Sequence, residues 1–181
     1  MSILYNSFYL LLIIIFLSSS LDKILNWKKH FFTAEKYKII SGIPLTIILI
    51  TLVIMELIIA IIFLVQTNIS LLLILLFNFL LCFYSLLILY SLLKGNSNIS
   101  CGCGGLLESD KLHLGIIIRN IFIIIIGNLL FYNNFTFQNL GLEKNIISIL
   151  YVIIIIFIYK ISDKIRIIND FNKKLNGELK S

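Results

Sequence analysis

Long apolar runs separated by short polar segments dominate this chain. About 20 apolar residues, at ~1.5 Å of helical rise each, cross the ~30 Å hydrocarbon core of a bilayer. Five runs reach or approach that length: residues 3–20, 43–65, 69–93, 115–133 and 145–160. The second run carries Glu56, and the fifth is short enough to lie re-entrant. The pattern predicts an all-α, polytopic membrane helical bundle with four to five transmembrane helices.

Two polar segments next to the runs are amphipathic. Residues 21–41 place apolar side chains at roughly helical spacing with lysines between them, which predicts an interfacial helix at the headgroup level. The tail, residues 161–181, has Ile161, Ile165 and Ile168 on one face and lysines opposite. We interpret it as a basic amphipathic helix that leaves the membrane and runs along its surface.

Composition agrees with a single membrane domain over residues 1–181. Hydrophobic residues make up 60% of the chain and charged residues 13%, and the mean hydropathy is +1.05. The net charge of +6 does not indicate nucleic acid, because the basic residues flank the apolar runs. The partner that the composition predicts is the lipid bilayer. We expect a multi-pass protein of a bacterial inner or cytoplasmic membrane.

The distribution of lysines predicts an orientation. With five spans, the basic residues of 23–38, 94–111 and 160–180 fall on one side, and Lys144 alone lies opposite. The positive-inside rule then places the N-terminus outside and the C-terminus in the cytoplasm. The small-residue run Ser18-Ser19-Ser20 could serve as the cleavage site of a signal peptide. However, no basic segment precedes the apolar run, and the run is longer than a usual signal-peptide core, so we expect an uncleaved first helix.

The candidate chemistry lies in a glycine-rich break, Cys101-Gly102-Cys103-Gly104-Gly105. A thiolate is the reactive form of cysteine, and nearby positive charge or a helix N-terminus favours it. Lys111, His113 and Arg119 follow the pair. Three interpretations stay open: an exchangeable dithiol, two unpaired cysteines in a flexible loop, or a metal site. The metal site needs further ligands, for which the nearby candidates are His113, Glu108 and Asp110.

Polar residues inside the apolar runs are a second group of candidates. Glu56, Asn78 and Asn128 come out at a similar depth of roughly 20 Å, so we expect them to face one another. Such a cluster either joins helices structurally or forms part of a proton or cofactor path. Cys82, within the third run, is expected to be a small apolar side chain in the interior.

Arg119 and Asn120 open the fourth run. Arg119 either extends to the interface, as long basic side chains near helix ends do, or stabilises a thiolate at Cys101 or Cys103.

At these residues the chain resembles the MauE/DoxX group of redox-associated membrane proteins, and most of all the MauE family. That family shows a Cys-Gly-Cys-Phe-Gly loop followed by Arg-Asn at the start of the next helix, as at Cys101–Gly105 and Arg119-Asn120. Its Glu-Leu pair in the second helix is similar to Glu56-Leu57. Further similar positions after the first helix are Ser20, Lys23, Leu25, Phe31 and Tyr37. The resemblance covers about residues 10–135. Gly104 stands where the family has phenylalanine, and Val53 where a proline often precedes the glutamate.

The resemblance implies a membrane protein for thiol–disulfide exchange beside a thioredoxin-like partner. The family role is disulfide formation and maturation of methylamine dehydrogenase, and here the substrate could be another exported protein or peptide. The implied catalytic residues are Cys101 and Cys103, supported by Arg119, Asn120 and Glu56, with no metal. A quinone cofactor fits such bundles, although no residue of the sequence identifies one.

Two questions stay open at this point. The family role places the dithiol most simply on the extracytoplasmic side, whereas the lysine bias places it in the cytoplasm. The alternative function is a non-enzymatic small membrane protein, such as an immunity or transporter-accessory factor.

Overall fold

A computed structural model describes residues 2–39, 41–65, 70–96, 99–133 and 141–178, with side chains described up to residue 169. Within these ranges the chain forms six α-helices and one short 3₁₀ turn, Gly105–Leu107. The helices are α1 Ser2–Leu25, α2 Trp27–Lys36, α3 Ile43–Val65, α4 Leu71–Leu93, α5 Leu114–Tyr132 and α6 Leu142–Glu178. All except α2 are long and apolar enough to cross a membrane, which confirms the predicted polytopic helical bundle.

The boundaries differ from the predicted ones at two places. Helix α1 continues to Leu25, five residues beyond the predicted span, because the polar residues after Ser20 prolong it rather than start the interfacial helix. A non-helical Asn26 then separates α1 from the interfacial helix α2. The fifth span and the basic tail form one continuous helix, α6, so this span does not lie re-entrant.

Turn residues and a cap start α3 and α4. Gly42 has a φ of +71°, a conformation that favours glycine. Pro44 falls in the first turn of α3, where its missing N–H has no helical acceptor. The side chain of Ser70 accepts a hydrogen bond from the backbone N–H of Leu73 at 3.3 Å and caps α4.

The core forms around α1, which packs against α3, α5 and α6, while α4 packs against α3 and α5. Leu12, Phe63 and Phe77 are among its fully buried side chains. Helices α4 and α5 approach closely at Gly127, where an added Cβ atom would lie 2.5 Å from the ring of Phe77. An alanine at this position would require the Phe77 ring to shift.

Three polar segments meet at one end of the bundle, which we call the loop end: α2, the segment between α4 and α5, and the polar part of α6. Lys29 pairs with Glu108 at 2.8 Å and Lys164 with Asp110 at 3.1 Å. These contacts confirm the prediction that the three segments lie on the same side. They also place the cysteine loop against α1 and α2.

Candidate functional site

Cys101 and Cys103 are joined by a disulfide bond, with their Cα atoms 5.3 Å apart. Gly102, between them, has a φ of +65°, which a residue with a side chain would rarely adopt. Cys101 is buried and Cys103 is half-buried. The two sulfur atoms are therefore paired with each other, and Cys103 is the more accessible one.

Three hydrogen bonds fasten the disulfide loop to α1 and to the segment after α2. The hydroxyl of Tyr37 donates to the carbonyl of Cys101 at 2.9 Å, and the hydroxyl of Ser19 lies 2.5 Å from the carbonyl of Cys103. The N–H of Gly105 donates to Asp22 Oδ2 at 2.9 Å. Burial raises the pKa of Tyr37, so this hydroxyl stays protonated and able to donate.

The glycines after Cys103 leave no room for side chains. At Gly105 an added Cβ atom would lie 2.6 Å from the backbone of Ser18. At Gly104, φ is +74° and a Cβ atom would lie 3.1 Å from the carbonyl oxygen of Ser19. This gives a physical reason for glycine at the position where the resembled pattern has phenylalanine: in this loop, residue 104 lies against α1.

Arg119 reaches the disulfide from α5. Its Nη2 atom lies 3.5 Å from Cys103 Sγ, and its Nη1 atom donates to the hydroxyl of Tyr159 at 2.8 Å. Asn120 Oδ1 accepts from Arg119 Nη2 at 3.0 Å, and Asn120 Nδ2 donates to Ser85 Oγ at 3.1 Å. Arg119 therefore does not extend to the interface. Its guanidinium lies beside the sulfur of Cys103, where Tyr159 and Asn120 hold it.

A buried ion pair lies on the other side of the loop. Lys23 and Glu56 side chains are 4% and 2% exposed and form a salt bridge. The hydroxyl of Tyr84 donates to Glu56 Oε1 at 2.6 Å and accepts from Lys23 Nζ at 2.9 Å. Lys23 was counted among the basic residues that flank the first span. That assignment is wrong, because its ammonium turns inward to neutralise Glu56.

Ser19 connects this ion pair to the disulfide loop. Its hydroxyl accepts from Lys23 Nζ at 3.2 Å and lies within hydrogen-bond distance of both the Cys103 carbonyl and Glu56 Oε2, the latter at 3.0 Å. A hydroxyl has one proton to donate, so only one of these two acceptors receives it at a time. The Ser19 side chain thereby links the buried Lys23–Glu56 pair to the backbone of Cys103.

The predicted cluster of Glu56, Asn78 and Asn128 is only partly correct. The two asparagines do face each other, with reciprocal amide hydrogen bonds of 3.1 Å. Glu56 points into the bundle as expected, but its hydrogen bonds go to Lys23, Ser19 and Tyr84. The prediction failed because equal depth says nothing about which helix faces meet.

Apart from Arg119, two of the nearby polar residues offered as thiol activators or metal ligands have partners other than the cysteines. His113 contacts Asp163 at 3.1 Å and Arg166 at 2.7 Å, and burial lowers its pKa despite the opposing effect of Asp163. Glu108 pairs with Lys29, and the hydrogen bond to Glu108 raises the pKa of Lys29. Both cysteine sulfur atoms are in the disulfide, and among the described residues His113 and Glu108 are engaged with partners other than the cysteines.

Cys82 is exposed on α4 rather than buried. In a membrane-spanning helix this places it on the outer surface, so the expectation of an interior position is wrong.

One further group of ligand-type side chains lies nearby. Asp22, His30 and Glu108 place one ligand atom each within 4.8 Å of one another. Asp22 already accepts from Gly105 and Asn26 and lies 2.9 Å from His30 Nε2. Glu108 pairs with Lys29 and Asp22 accepts the N–H of Gly105, so we interpret this group as a set of contacts that holds the loop against α1 and α2.

Two cavities border the disulfide on different sides. The larger, about 240 Å³, is almost entirely apolar and reaches Cys101 and Gly102. The smaller, about 30 Å³, reaches Cys103 and is bordered by Arg119, Asn120 and Glu56. Its volume equals about one water molecule. Each cysteine therefore borders a different cavity, and both cavities are lined mainly by apolar surface.

Sequence reasoning missed several residues that shape this site: Ser19, Asp22, His30, Tyr84 and Tyr159. Ser19 looked like part of a small-residue run, and Tyr84 and Tyr159 like ordinary aromatic residues in apolar runs. A usable signal was present at Tyr84, because a lone hydroxyl within a span needs a polar partner. The partner itself becomes visible only when the helices are packed.

The family model described as methylamine utilisation protein MauE matches residues 1–133. This range includes the disulfide loop, the Arg119-Asn120 pair and the Lys23–Glu56 ion pair, and it ends before α6. Neither a curated protein nor a solved structure matches the chain.

Proposed function

Since the chain belongs to the MauE family of membrane proteins, which is linked to methylamine utilisation, we propose that it is a membrane thiol–disulfide redox protein. In this proposal it supports disulfide formation in, or maturation of, an exported protein or peptide, as in the maturation of methylamine dehydrogenase. The supporting observation is the Cys101–Cys103 disulfide with the guanidinium of Arg119 at 3.5 Å from Cys103 Sγ. We place the protein in a bacterial cell membrane and its working partner among thioredoxin-like proteins.

The exchange begins at Cys103, because its sulfur is the more accessible and lies beside a positive charge. A thiolate of the partner attacks Cys103 Sγ, the Cys101–Cys103 bond breaks, and Cys101 leaves as a thiolate that takes up a proton. The partner's second thiol then attacks the mixed disulfide and loses its proton. The partner is oxidised to a disulfide, and Cys101 and Cys103 are reduced to a dithiol by the two electrons that the partner has lost.

Arg119 acts at both steps in this scheme. It attracts the incoming thiolate, and it stabilises the thiolate of Cys103 when the partner departs. Asn120 is a positioning residue, because it contacts the guanidinium and not the sulfur. Glu56, Lys23 and Ser19 position the carbonyl of Cys103 from the other side.

The test is capture of the mixed disulfide in cells, in a Cys82→Ala background that leaves only the pair. Cys101→Ser removes the resolving thiol and should accumulate an adduct, sensitive to reductant, between Cys103 and a thioredoxin-like protein. Cys103→Ser, the matched variant, should accumulate less, and both should abolish maturation of the substrate. Capture only in the Cys103→Ser variant would reverse the assigned roles.

The alternative is a non-enzymatic accessory protein, in which the disulfide only stabilises the conformation of the loop. In that case the double variant Cys101→Ser/Cys103→Ser, if it still folds, keeps full activity in a maturation assay. Full activity of that variant rejects the redox proposal.

A further inference from the structure

Helix α6 has a buried stripe that changes from apolar to polar where it meets the disulfide loop. Ser148, Val152 and Asp163 are buried, and Ile156 and Tyr159 between them are half-buried. Their spacing of three or four residues places all five on one face of the helix. Toward the loop end this face therefore turns a phenol and a carboxylate inward.

Tyr159 contacts Arg119 in two ways. Its hydroxyl accepts a hydrogen bond from Arg119 Nη1 at 2.8 Å. Its ring centroid lies 5.6 Å from Arg119 Cζ, within the range of a cation–π contact. Because Arg119 Nη2 lies 3.5 Å from Cys103 Sγ, the phenol of Tyr159 helps to fix the positive charge beside this sulfur.

Asp163 reaches the other cysteine through Ser109. The carboxylate of Asp163 is 6% exposed and accepts from Ser109 Oγ at 3.0 Å. Ser109 is fully buried, and its carbonyl accepts the backbone N–H of Cys101 at 3.0 Å. The Ser109 hydroxyl also lies 3.1 Å from the carbonyl of Lys111, but an ionised carboxylate is the stronger acceptor. The buried charge of α6 thus holds the backbone that holds Cys101.

His113 joins the same carboxylate from the start of α5. Its Nε2 atom lies 3.1 Å from Asp163 Oδ1. An ionised carboxylate only accepts hydrogen bonds, so Nε2 carries a proton and donates it. Asp163 therefore ties α6 both to the loop at Ser109 and to α5 at His113.

These contacts come from outside the part of the chain that defines the family. The match to the family covers residues 1–133, whereas α6 begins at Leu142. The cysteine pair and Arg119 lie within the match, and Tyr159 and Asp163 lie beyond it. The family region of this chain is thus held at its reactive loop by a helix that follows it.

We propose that α6 supplies two positioning residues to the exchange reaction: Tyr159 for the charge beside Cys103, and Asp163 for the backbone at Cys101. The inference rests on the proposed function. Its effect is greatest in the reduced protein, where no covalent bond fixes the two sulfur atoms. There the Asp163 contacts keep one thiol close to the other, which favours closure of the disulfide. The Tyr159 contacts keep the guanidinium close to the thiolate of Cys103.

A purely structural role of α6 is the competing interpretation. In that case substitutions of Tyr159 and Asp163 lower the thermal stability of the protein, but they leave the reactivity and the redox equilibrium of the cysteines unchanged. The tests therefore measure the cysteines themselves, in a Cys82→Ala background.

The role of Tyr159 is tested by its coupling to Arg119. Tyr159→Phe keeps the ring and loses the hydroxyl, and it should slow alkylation of the reduced pair by iodoacetamide roughly threefold, the equivalent of one hydrogen bond. Tyr159→Leu loses both contacts and should slow it further, with the half-maximal rate at a higher pH. In an Arg119→Gln background neither substitution should change the rate, because no charge is left to position. Unchanged rates, or equal losses with and without Arg119, would overturn the role of Tyr159.

The role of Asp163 is tested by the redox equilibrium of the pair in mixtures of reduced and oxidised glutathione, followed by maleimide mass tagging. Asp163→Ala should shift the equilibrium toward the dithiol roughly tenfold, since a charged hydrogen bond to the loop is lost. Asp163→Asn retains an acceptor oxygen and should shift it less. Ser109→Ala removes the same link from the loop side and should also shift it toward the dithiol.

Ser162→Ala is the control on α6, because the Ser162 hydroxyl donates within the helix to the carbonyl of Ile158. Its equilibrium should equal that of the parent. An unchanged equilibrium in Asp163→Ala would overturn the role of Asp163. If that variant does not fold, unchanged equilibria in Asp163→Asn and Ser109→Ala would do so.

This proposal and the proposed function fail in different ways. If the mixed disulfide is captured in cells but the Tyr159 and Asp163 variants behave like the parent, the redox function stands and the role of α6 is wrong. If these variants change the cysteines as expected but no mixed disulfide forms, α6 positions the pair and the exchange with a thioredoxin-like partner is wrong.

Discussion

The guanidinium of Arg119 lies 3.5 Å from the sulfur of Cys103, and the guanidinium is itself held by Asn120, Tyr159 and the carbonyl of Leu107. A positive charge this close favours a thiolate at Cys103 over the thiol once the disulfide is reduced. Arg119 thus connects helix α5 to the Cys101–Cys103 disulfide.

Arg119→Gln should slow alkylation of the reduced pair at neutral pH by roughly tenfold or more, because the positive charge beside the thiolate is removed. The measurement is the rate of modification by iodoacetamide in the Cys82→Ala background as a function of pH. The control is Arg166→Gln, the other arginine of the chain, which contacts His113 instead of the cysteines. An equal rate in the Arg119 variant would show that the arginine is a structural contact only.

Glu56→Gln should destabilise the protein by about 3–5 kcal/mol, because it leaves the buried ammonium of Lys23 without a counter-charge. The double variant Lys23→Met/Glu56→Gln removes both charges and should recover a large part of the loss. Thermal unfolding in detergent measures both. Lys164→Met serves as control, since its pair with Asp110 is 67% and 72% exposed and contributes at most about 1 kcal/mol. Equal losses in the single and double variants would contradict a coupled pair.

Gly105→Ala should destabilise the loop far more than Gly42→Ala. Both glycines have positive φ values, +62° and +71°, so the backbone penalty of about 1–2 kcal/mol is shared. Only at Gly105 does the added Cβ meet backbone, 2.6 Å from Ser18, whereas nothing lies within 4 Å at Gly42. Limited proteolysis of the loop and thermal unfolding report the difference. Similar behaviour of the two variants would mean that the loop does not press against α1.

The lysine bias and the proposed function predict opposite sides for the loop end. A reporter fused after Ser181 should be active in the cytoplasm if the lysine bias sets the orientation. It should be active outside if the loop serves an exported substrate, because α6 and the disulfide loop meet at one end. The buried pairing of Lys23 with Glu56 removes one lysine from the bias but leaves most of it in place.

Much of the fold could be predicted because it depends on the length of apolar runs. The five spans and the interfacial helix follow from periodicity and from turn residues such as Gly42. The continuity of α6 was harder to predict. Residues 160–170 contain no helix breaker, but they do not clearly continue the apolar run either.

The candidate site was predictable only where the residues are near in sequence. The cysteine pair and Arg119 are within one loop and the first turns of the next helix. The Lys23–Glu56 pair joins residues from different helices, and the exposed Cys82 depends on how α4 is rotated. Both are consequences of helix packing, which the apolar pattern of a membrane span hardly specifies, because its lipid-facing and interior faces are equally hydrophobic.

The most direct test of the account is the redox response of the cysteine pair itself. Intact cells and inverted vesicles with the Cys82→Ala variant are exposed to a brief pulse of reductant, washed, and trapped over time with a membrane-impermeant maleimide. We expect two adducts per chain immediately after the pulse, from one side of the membrane only, and a return to none as the disulfide re-forms. A pair that stays unmodified throughout, or stays reduced after the wash while the protein remains active, would contradict an exchangeable disulfide at Cys101 and Cys103.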